Sequence, residues 1–350
     1  MMSRRMGVVP DDPDDPDDGN LLDWDASWTP DVSTFGSGGT ADYKWLGGVL
    51  APNGKIYGIP RDSSTILEID PETQTTSTFG NVGTSSGKWY GGFLAPNGKI
   101  YGIPYNASAV LEIDPETQTT STFGSLAGTS KWVGGVLAPN GKIYGIPCDS
   151  STILEIDPET QTTSTFGNVG TGTLRWYGGV LAPNGKIYGI PGNASAVLEI
   201  DPETQTISTF GNVGTGTLRW YGGVLAPNGK IYGIPCRSST ILEIDPETQT
   251  ASTFGSLAGT SKWVGGVLAP NGKIYGIPRD SSTILEIDPE TQTASTFGSV
   301  GTGTFKWQGG VLAPNGKIYG IPYSSSSILE IGTESPQTLE KVLSPELNKL

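Results

Sequence analysis

Seven times in this chain a base stands directly before a tryptophan: Lys44-Trp45, Lys88-Trp89, Lys131-Trp132, Arg175-Trp176, Arg219-Trp220, Lys262-Trp263 and Lys306-Trp307. A cation beside an aromatic face suits a sugar ring or an anionic group. A tryptophan repeated once per unit also packs well between units, and the residues alone leave both readings open. Catalysis fits such regularity poorly. Acid and base roles need carboxylates in unlike environments, whereas near-identical copies supply near-identical environments. The chain has no histidine, and its sequence contains no metal-ligand cluster and no phosphate-cradling loop. The expectation is a protein that is not an enzyme, with no metal and no cofactor.

The elements that must position these pairs follow from their spacing. Successive tryptophans lie 44, 43, 44, 44, 43 and 44 residues apart. Seven copies at a period in the forties, built from strand-like pieces, predict a ring of sheet blades. Within the first copy, Leu46 to Ala51 reads as a strand, Asn53-Gly54 as a hairpin turn with two positive-φ positions, and Lys55 to Pro60 as the second strand. A polar connection over 61–64 leads to a third strand, Thr65 to Ile69. The Asp70-Pro71-Glu72-Thr73 turn precedes a fourth, Thr75 to Phe79. The fold class predicted is all-β: a seven-bladed β-propeller of four-stranded antiparallel blades.

Each first strand opens with a glycine pair, from Gly47 and Gly48 to Gly309 and Gly310. Seven such strands converge on a central channel, where backbones crowd and side chains collide. Apolar residues at consecutive positions, Ile56 and Tyr57 or Ile66 and Leu67, indicate strands buried on both faces. The last copy stops after its third strand, Ile328 to Ile331, while an extra Ser-Thr-Phe-Gly occurs at 33–36. Asp31 to Phe35 is therefore expected to complete the last blade from the other end of the chain, pairing both open edges.

The run GKIYGIP, a polar loop and then ILEIDPETQT resembles the repeat of seven-bladed propellers of the virginiamycin B lyase type and their NHL-like and YVTN-like relatives. The resemblance covers roughly 31–332 and concerns the fold, since propellers host many unrelated activities. The lyase likeness would imply a histidine base and a magnesium site, and this chain has no histidine to supply the base. The repeat also lacks the Trp-Asp dipeptide of WD repeats and the Asp-box of sialidases.

Composition divides the chain into an acidic arm (1–30), the propeller (31–332) and a tail (333–350). The formal charge is −14, and the arm concentrates acid in Asp11 to Asp18, reading as a disordered tether or solubilising segment. In the tail, Ser335-Pro336 followed by QTLEKVL predicts a short helix. No apolar run has transmembrane or signal-peptide length, so a soluble cytoplasmic monomer is expected, without membrane or nucleic-acid partners. Cys148 and Cys236 occupy one loop position two blades apart, too far for a disulfide. They are expected to be free thiols, reactive because they sit in polar loops.

The fourth-to-first and second-to-third connections emerge together on one face, the top, which carries nearly all the differences between copies. After the second strand these are Arg61 and Asp62, Tyr105 and Asn106, Cys148 and Asp149, Gly192 and Asn193, Cys236 and Arg237, Arg279 and Asp280, and Tyr323 and Ser324. The residue after the tryptophan varies too: Leu46, Tyr90, Val133, Tyr177, Tyr221, Val264 and Gln308. Binding residues concentrate on loops held by a rigid scaffold. The candidate ligand-binding set is the seven bases and seven tryptophans with Arg61, Tyr105, Arg237, Arg279 and Tyr323. The expected partner is a carbohydrate or an acidic peptide or protein, drawn to an electropositive top. The repeated glutamate of the third strand (Glu68, Glu112, Glu155, Glu199, Glu243, Glu286, Glu330) is expected to partner those bases. Three functional classes are weighed. They are a lectin-like or protein-binding module, a recently amplified scaffold without a specialised ligand, and a lyase- or lactonase-like enzyme.

Overall fold

A computed structural model describes residues 30–333; the acidic arm and the helix expected after Ser335 lie outside them. The described chain forms seven four-stranded antiparallel sheets arranged as a ring. Blade 1 consists of Trp45–Leu50, Ile56–Pro60, Ile66–Asp70 and Thr75–Phe79. The expected strands are present, with ends displaced by about one residue at the first three. Blade 7 takes its outer strand from the other end of the chain: Val32–Phe35 pairs antiparallel with Ile328–Ile331, Val32 opposite Ile331 and Phe35 opposite Ile328.

One turn differs from the expectation. In the Pro52-Asn53-Gly54 hairpin only Gly54 has positive φ, at 79°. The Gly54 N–H donates to the Ala51 carbonyl at 3.0 Å, and the Ala51 N–H to Lys55 at 2.9 Å. Pro52, with φ preset near −65°, occupies the second turn position, so the chain makes a type I turn followed by one left-handed glycine. Asn53 locks it, accepting from the Lys55 N–H at 3.1 Å and donating to the Tyr57 hydroxyl at 2.9 Å.

The inner strands hold the glycines at contact distance. The first glycine of each pair has φ between 69° and 79° and lies at a bulge between the tryptophan and the second glycine. A Cβ there would stand 2.9–3.4 Å from the Cα of the equivalent glycine in the next blade, so seven backbones close the channel at its narrowest. Between blades the core repeats. Trp45 packs with Ile56, Leu67 and Ile69 of its own blade and with Val311, Tyr319 and Ile321 of blade 7.

The glutamates have a different partner from the one expected. Lys55, from the Asn-Gly-Lys turn, meets Glu68 at 2.8 Å, and the buried Tyr57 hydroxyl donates to the same carboxylate at 3.0 Å. The third donor is Gln118 of blade 2, at 2.9 Å, held there by a left-handed backbone at φ 54°. This clasp recurs at Glu112, Glu155, Glu199, Glu243 and Glu330. The bases before the tryptophans lie at the other end of the blade, out of reach. Blade 7 lacks the Asp-Pro-Glu-Thr-Gln turn. Among the described residues Glu286 in blade 6 receives no glutamine, and its side chain is 16% exposed against 7–8% for the other six. Asn271 bridges that seam, donating to the Thr333 carbonyl at 2.8 Å, as Asn228 does to the Pro289 carbonyl at 3.3 Å one blade earlier.

Two predictions follow from this architecture. Deleting residues 1–36 removes the outer strand of blade 7 and the partial burial of Val32 and Phe35, at a cost of about 3 kcal/mol together. Deleting 1–28 leaves the fold intact. Thermal unfolding of both truncations checks this, and equal midpoints would disprove the closure.

The second concerns acid. Burial raises the pKa of Glu68, Glu112, Glu155, Glu199 and Glu330, but hydrogen bonds from the lysine, tyrosine and glutamine overcome it and leave each below the ordinary value. A depressed carboxylate contributes stability above its unfolded pKa, about 4.3, and loses it as pH falls through the folded value. The thermal midpoint is expected to stay level from about pH 7 to 5.5 and to fall below about pH 4.5. Glu112→Gln should lose about 1–3 kcal/mol at neutral pH and show a shallower acid decline. An unchanged acid profile in that variant would remove the clasp as the cause.

Candidate functional site

The top face is built on the base of each base-tryptophan pair, but not as an exposed ring. Lys44, Lys88, Lys131, Arg175, Arg219, Lys262 and Lys306 are buried, between 3% and 7% exposed. Lys131 Nζ donates to the carbonyls of Tyr105, Ala107 and Gly128 at 2.8–3.0 Å. Lys262 repeats this with Cys236, Ser238 and Gly259. Lys44, Lys88 and Lys306 each hold one carbonyl of the preceding blade's loop and one of their own. Arg175 reaches Ser150, Val169 and Gly170, and Arg219 reaches Ala194 and Val213. The cations are caged by carbonyls, with no acid among these partners. Burial therefore dominates their titration and lowers Lys44 and Lys131 to about 8.

Their backbones join a circuit. The Lys44 N–H donates to the Tyr323 carbonyl and the Lys44 carbonyl accepts from Arg61. The Arg61 carbonyl accepts from Lys88, and the alternation continues around all seven blades back to Tyr323. The tryptophans are 2–4% exposed, and each indole N–H donates to the carbonyl just before the third strand, as Trp45 does to Thr65 at 2.8 Å. Bases and tryptophans thus form the wall of the site.

The second variable loop residue is also structural. The residue before each base is left-handed: Tyr43, Ser130, Leu174, Leu218, Ser261 and Phe305 at φ 48–56°, with Gly87 at 63°. Its N–H is received by the preceding blade's loop: Gly87 by Asp62 at 2.6 Å, Leu174 by Asp149 and Phe305 by Asp280 at 2.7 Å, and Ser130 and Leu218 by Asn106 and Asn193. Arg237 is the exception, exposed and unable to accept.

What remains variable without a scaffold role converges on the channel mouth. Leu46, Tyr90, Val133, Cys148, Tyr177 and Tyr323, from five blades, form one buried cluster, with Tyr43, Tyr105, Tyr221 and Phe305 packed against it. Tyr90 stacks on Tyr105 at 3.9 Å, Tyr177 lies 4.5 Å from Tyr221, and Tyr43 meets Phe305 edge-on at 5.5 Å. Two arginines sit among these rings. Arg61 lies 5.2–5.5 Å over Tyr43, Tyr90 and Tyr323, donates to the Tyr90 hydroxyl at 2.8 Å and pairs with Asp62 at 2.8 Å. Arg279 lies 4.1 Å over Phe305. Of the expected set, the structure brings Arg61, Tyr105, Arg279 and Tyr323 together at the mouth. Tyr43, Tyr90, Tyr177, Tyr221 and Phe305 were not in that set, although variation between copies marks every one. Two grooves of about 440 and 390 Å³ lie elsewhere, along the flanks of Lys262-Trp263 and Lys306-Trp307, and belong to the repeat.

The cysteines do not behave as polar-loop thiols. They are free, as expected, but both are fully buried. Burial and the neighbouring Asp149 push the Cys148 thiol up to about 12. No group of three or more metal-ligating side chains occurs among the described residues.

This architecture defines the chain as a seven-bladed β-propeller with repeats. Residues 56–187 match the family described as a repeat of unknown function, DUF6923. No curated protein matches the sequence. Among solved structures, a streptogramin B lyase superposes with a TM-score of 0.75 at 13% identity, over 87% of this chain and 98% of that one. Virginiamycin B lyase from Staphylococcus aureus gives 0.75 at 12%, over 87% and 100%. Hydrazine synthase of Kuenenia stuttgartiensis gives 0.64 at 14%, over 84% and 97%. At these identities the likeness is one of fold.

Burial holds the Cys148 thiol protonated and shields it from the reagent as well. Neither thiol is expected to react with a disulfide reagent in the native protein, and both should react in denaturant. Rapid native labelling would show that the mouth opens.

Proposed function

We propose that the propeller is a non-catalytic binding module that takes an acidic group, carried by a glycan or a peptide, at the mouth of its channel. One observation carries this reading: the copies differ most where a scaffold role is absent, and there they assemble arginines among aromatic rings. Cations on aromatic faces at a partly enclosed mouth suit an anionic partner. The seven caged bases beneath add positive charge to the same face. The two free, buried thiols support a reducing compartment.

A scaffold reading draws on a different observation. Residues 167–191 and 211–235 are letter-for-letter copies, a sign of recent amplification. An enzymatic reading rests on the neighbouring lyase, whose histidine-to-alanine variant is described as catalytically inactive. This chain contains no histidine.

A glycan array including sulfated and sialylated members, together with acidic peptides, tests the proposal. Binding is expected to weaken with salt, and replacing Arg61 and Arg279 by alanine should cost about tenfold or more. Salt-independent binding, or binding untouched by the double replacement, would move the ligand away from the mouth. Absence of any ligand would favour the scaffold, and turnover in a screen with and without divalent metal would favour the enzyme.

A further inference from the structure

Two polar atoms at the mouth stand out from the polar groups around them. The Tyr221 hydroxyl and Arg279 Nε are buried without a hydrogen-bond partner among the described residues. Both are donors, and they come from adjacent blades. Tyr221 packs against Tyr177 at 4.5 Å, in the aromatic cluster that also holds Phe305, on which the Arg279 guanidinium lies at 4.1 Å. The acid nearest Arg279 is already engaged. Asp280 Oδ1 stands 3.8 Å from Nε, beyond hydrogen-bond range, and accepts the Phe305 N–H at 2.7 Å. The other arginine of the mouth is satisfied by Asp62 and the Tyr90 hydroxyl.

A buried donor left unmade costs most of its desolvation, so two in one enclosure call for an acceptor that reaches both. We infer that the Tyr221 hydroxyl and Arg279 Nε form an anchor for one carboxylate, whose two oxygens each accept one of these donors. This deepens the binding proposal above, naming the group that enters the mouth. A single negative charge suits the site. Asp280 lies 3.8 Å from Arg279 Nε without hydrogen-bonding it, so the guanidinium is already partly compensated, and a dianion among tyrosine and phenylalanine rings would leave charge uncompensated. Tyr221 shares the Arg279 enclosure in its titration as well. Burial raises it far above the ordinary value, Tyr90, Tyr323 and Cys148 raise it further, and Arg279 opposes them.

The test uses the full chain and acetate as the probe, with chloride at equal ionic strength as the reference. Acetate is expected to raise the thermal midpoint of the wild type above the chloride value. Tyr221→Phe and Arg279→Gln should abolish the difference, and Glu116→Gln on the opposite face should keep it. In chloride, Tyr221→Phe should be as stable as the wild type or more so, because it deletes an unpaired buried hydroxyl. In direct titration the two mouth variants should bind acetate about tenfold more weakly or worse. An acetate effect equal to chloride's, or one that survives both replacements, overturns the anchor. The same variants on the glycan and peptide panel separate the two proposals. An acidic partner that binds Tyr221→Phe and Arg279→Gln like the wild type removes the anchor and leaves the module. Acetate binding at the anchor with no acidic partner at all removes the module and leaves the anchor.

Discussion

The ring depends on seven buried cations held by carbonyl oxygens. Each ties the loop of the preceding blade to the loop that enters its own, while its backbone N–H and C=O continue a hydrogen-bonded circuit through every blade. A charged donor to a neutral carbonyl in a low-dielectric wall is a strong hydrogen bond, and removing the cation would orphan two or three carbonyls at once. Either lysine or arginine serves because each spans the same gap: Lys131 with three ammonium donors, Arg175 with its fork.

The opposite end of each blade solves the same problem with other chemistry. There a glutamate collects a lysine and a tyrosine from its own blade and a glutamine from the next, so neighbouring blades are joined by polar clasps on one face and by caged cations on the other. Between the two, the tryptophans and branched aliphatics supply the dry core, and the glycine ring sets how close the blades approach. Among the described residues one interface, between blades 6 and 7, has no glutamine clasp.

With the scaffold accounted for, the mouth is what remains. A position that repeats in all blades answers to the ring. A position that changes from blade to blade while facing the channel answers to neither core nor circuit. Arg61, Tyr105, Cys148, Gly192, Cys236, Arg279 and Tyr323 share one backbone environment, yet their side chains have little in common. That contrast distinguishes them from the loop residues beside them, where Asp62, Asn106, Asp149, Asn193 and Asp280 all accept the next blade's left-handed N–H.

Sequence alone determined the seven blades, their four strands and the donation of the first strand to the last blade. Those features rest on local signals written seven times: a proline-asparagine-glycine turn, an Asp-Pro turn, a glycine pair and a fixed period. The Asn53-Gly54 turn was placed correctly but mistyped, because the conformation of Asn53 depends on Pro52 before it and on the Tyr57 hydroxyl beneath. Tertiary structure alone decided the roles of the charged residues and the thiols. A base next to a tryptophan reads as a ligand site until the carbonyls that cage it are known, and for Lys131 two of the three come from a loop 24 and 26 residues back, on another blade. Cys148 follows a strand into a polar loop, yet its side chain turns inward to meet residues of the other blades. Side chains that converge from seven directions share no sequence window, and only the closed ring shows what they surround.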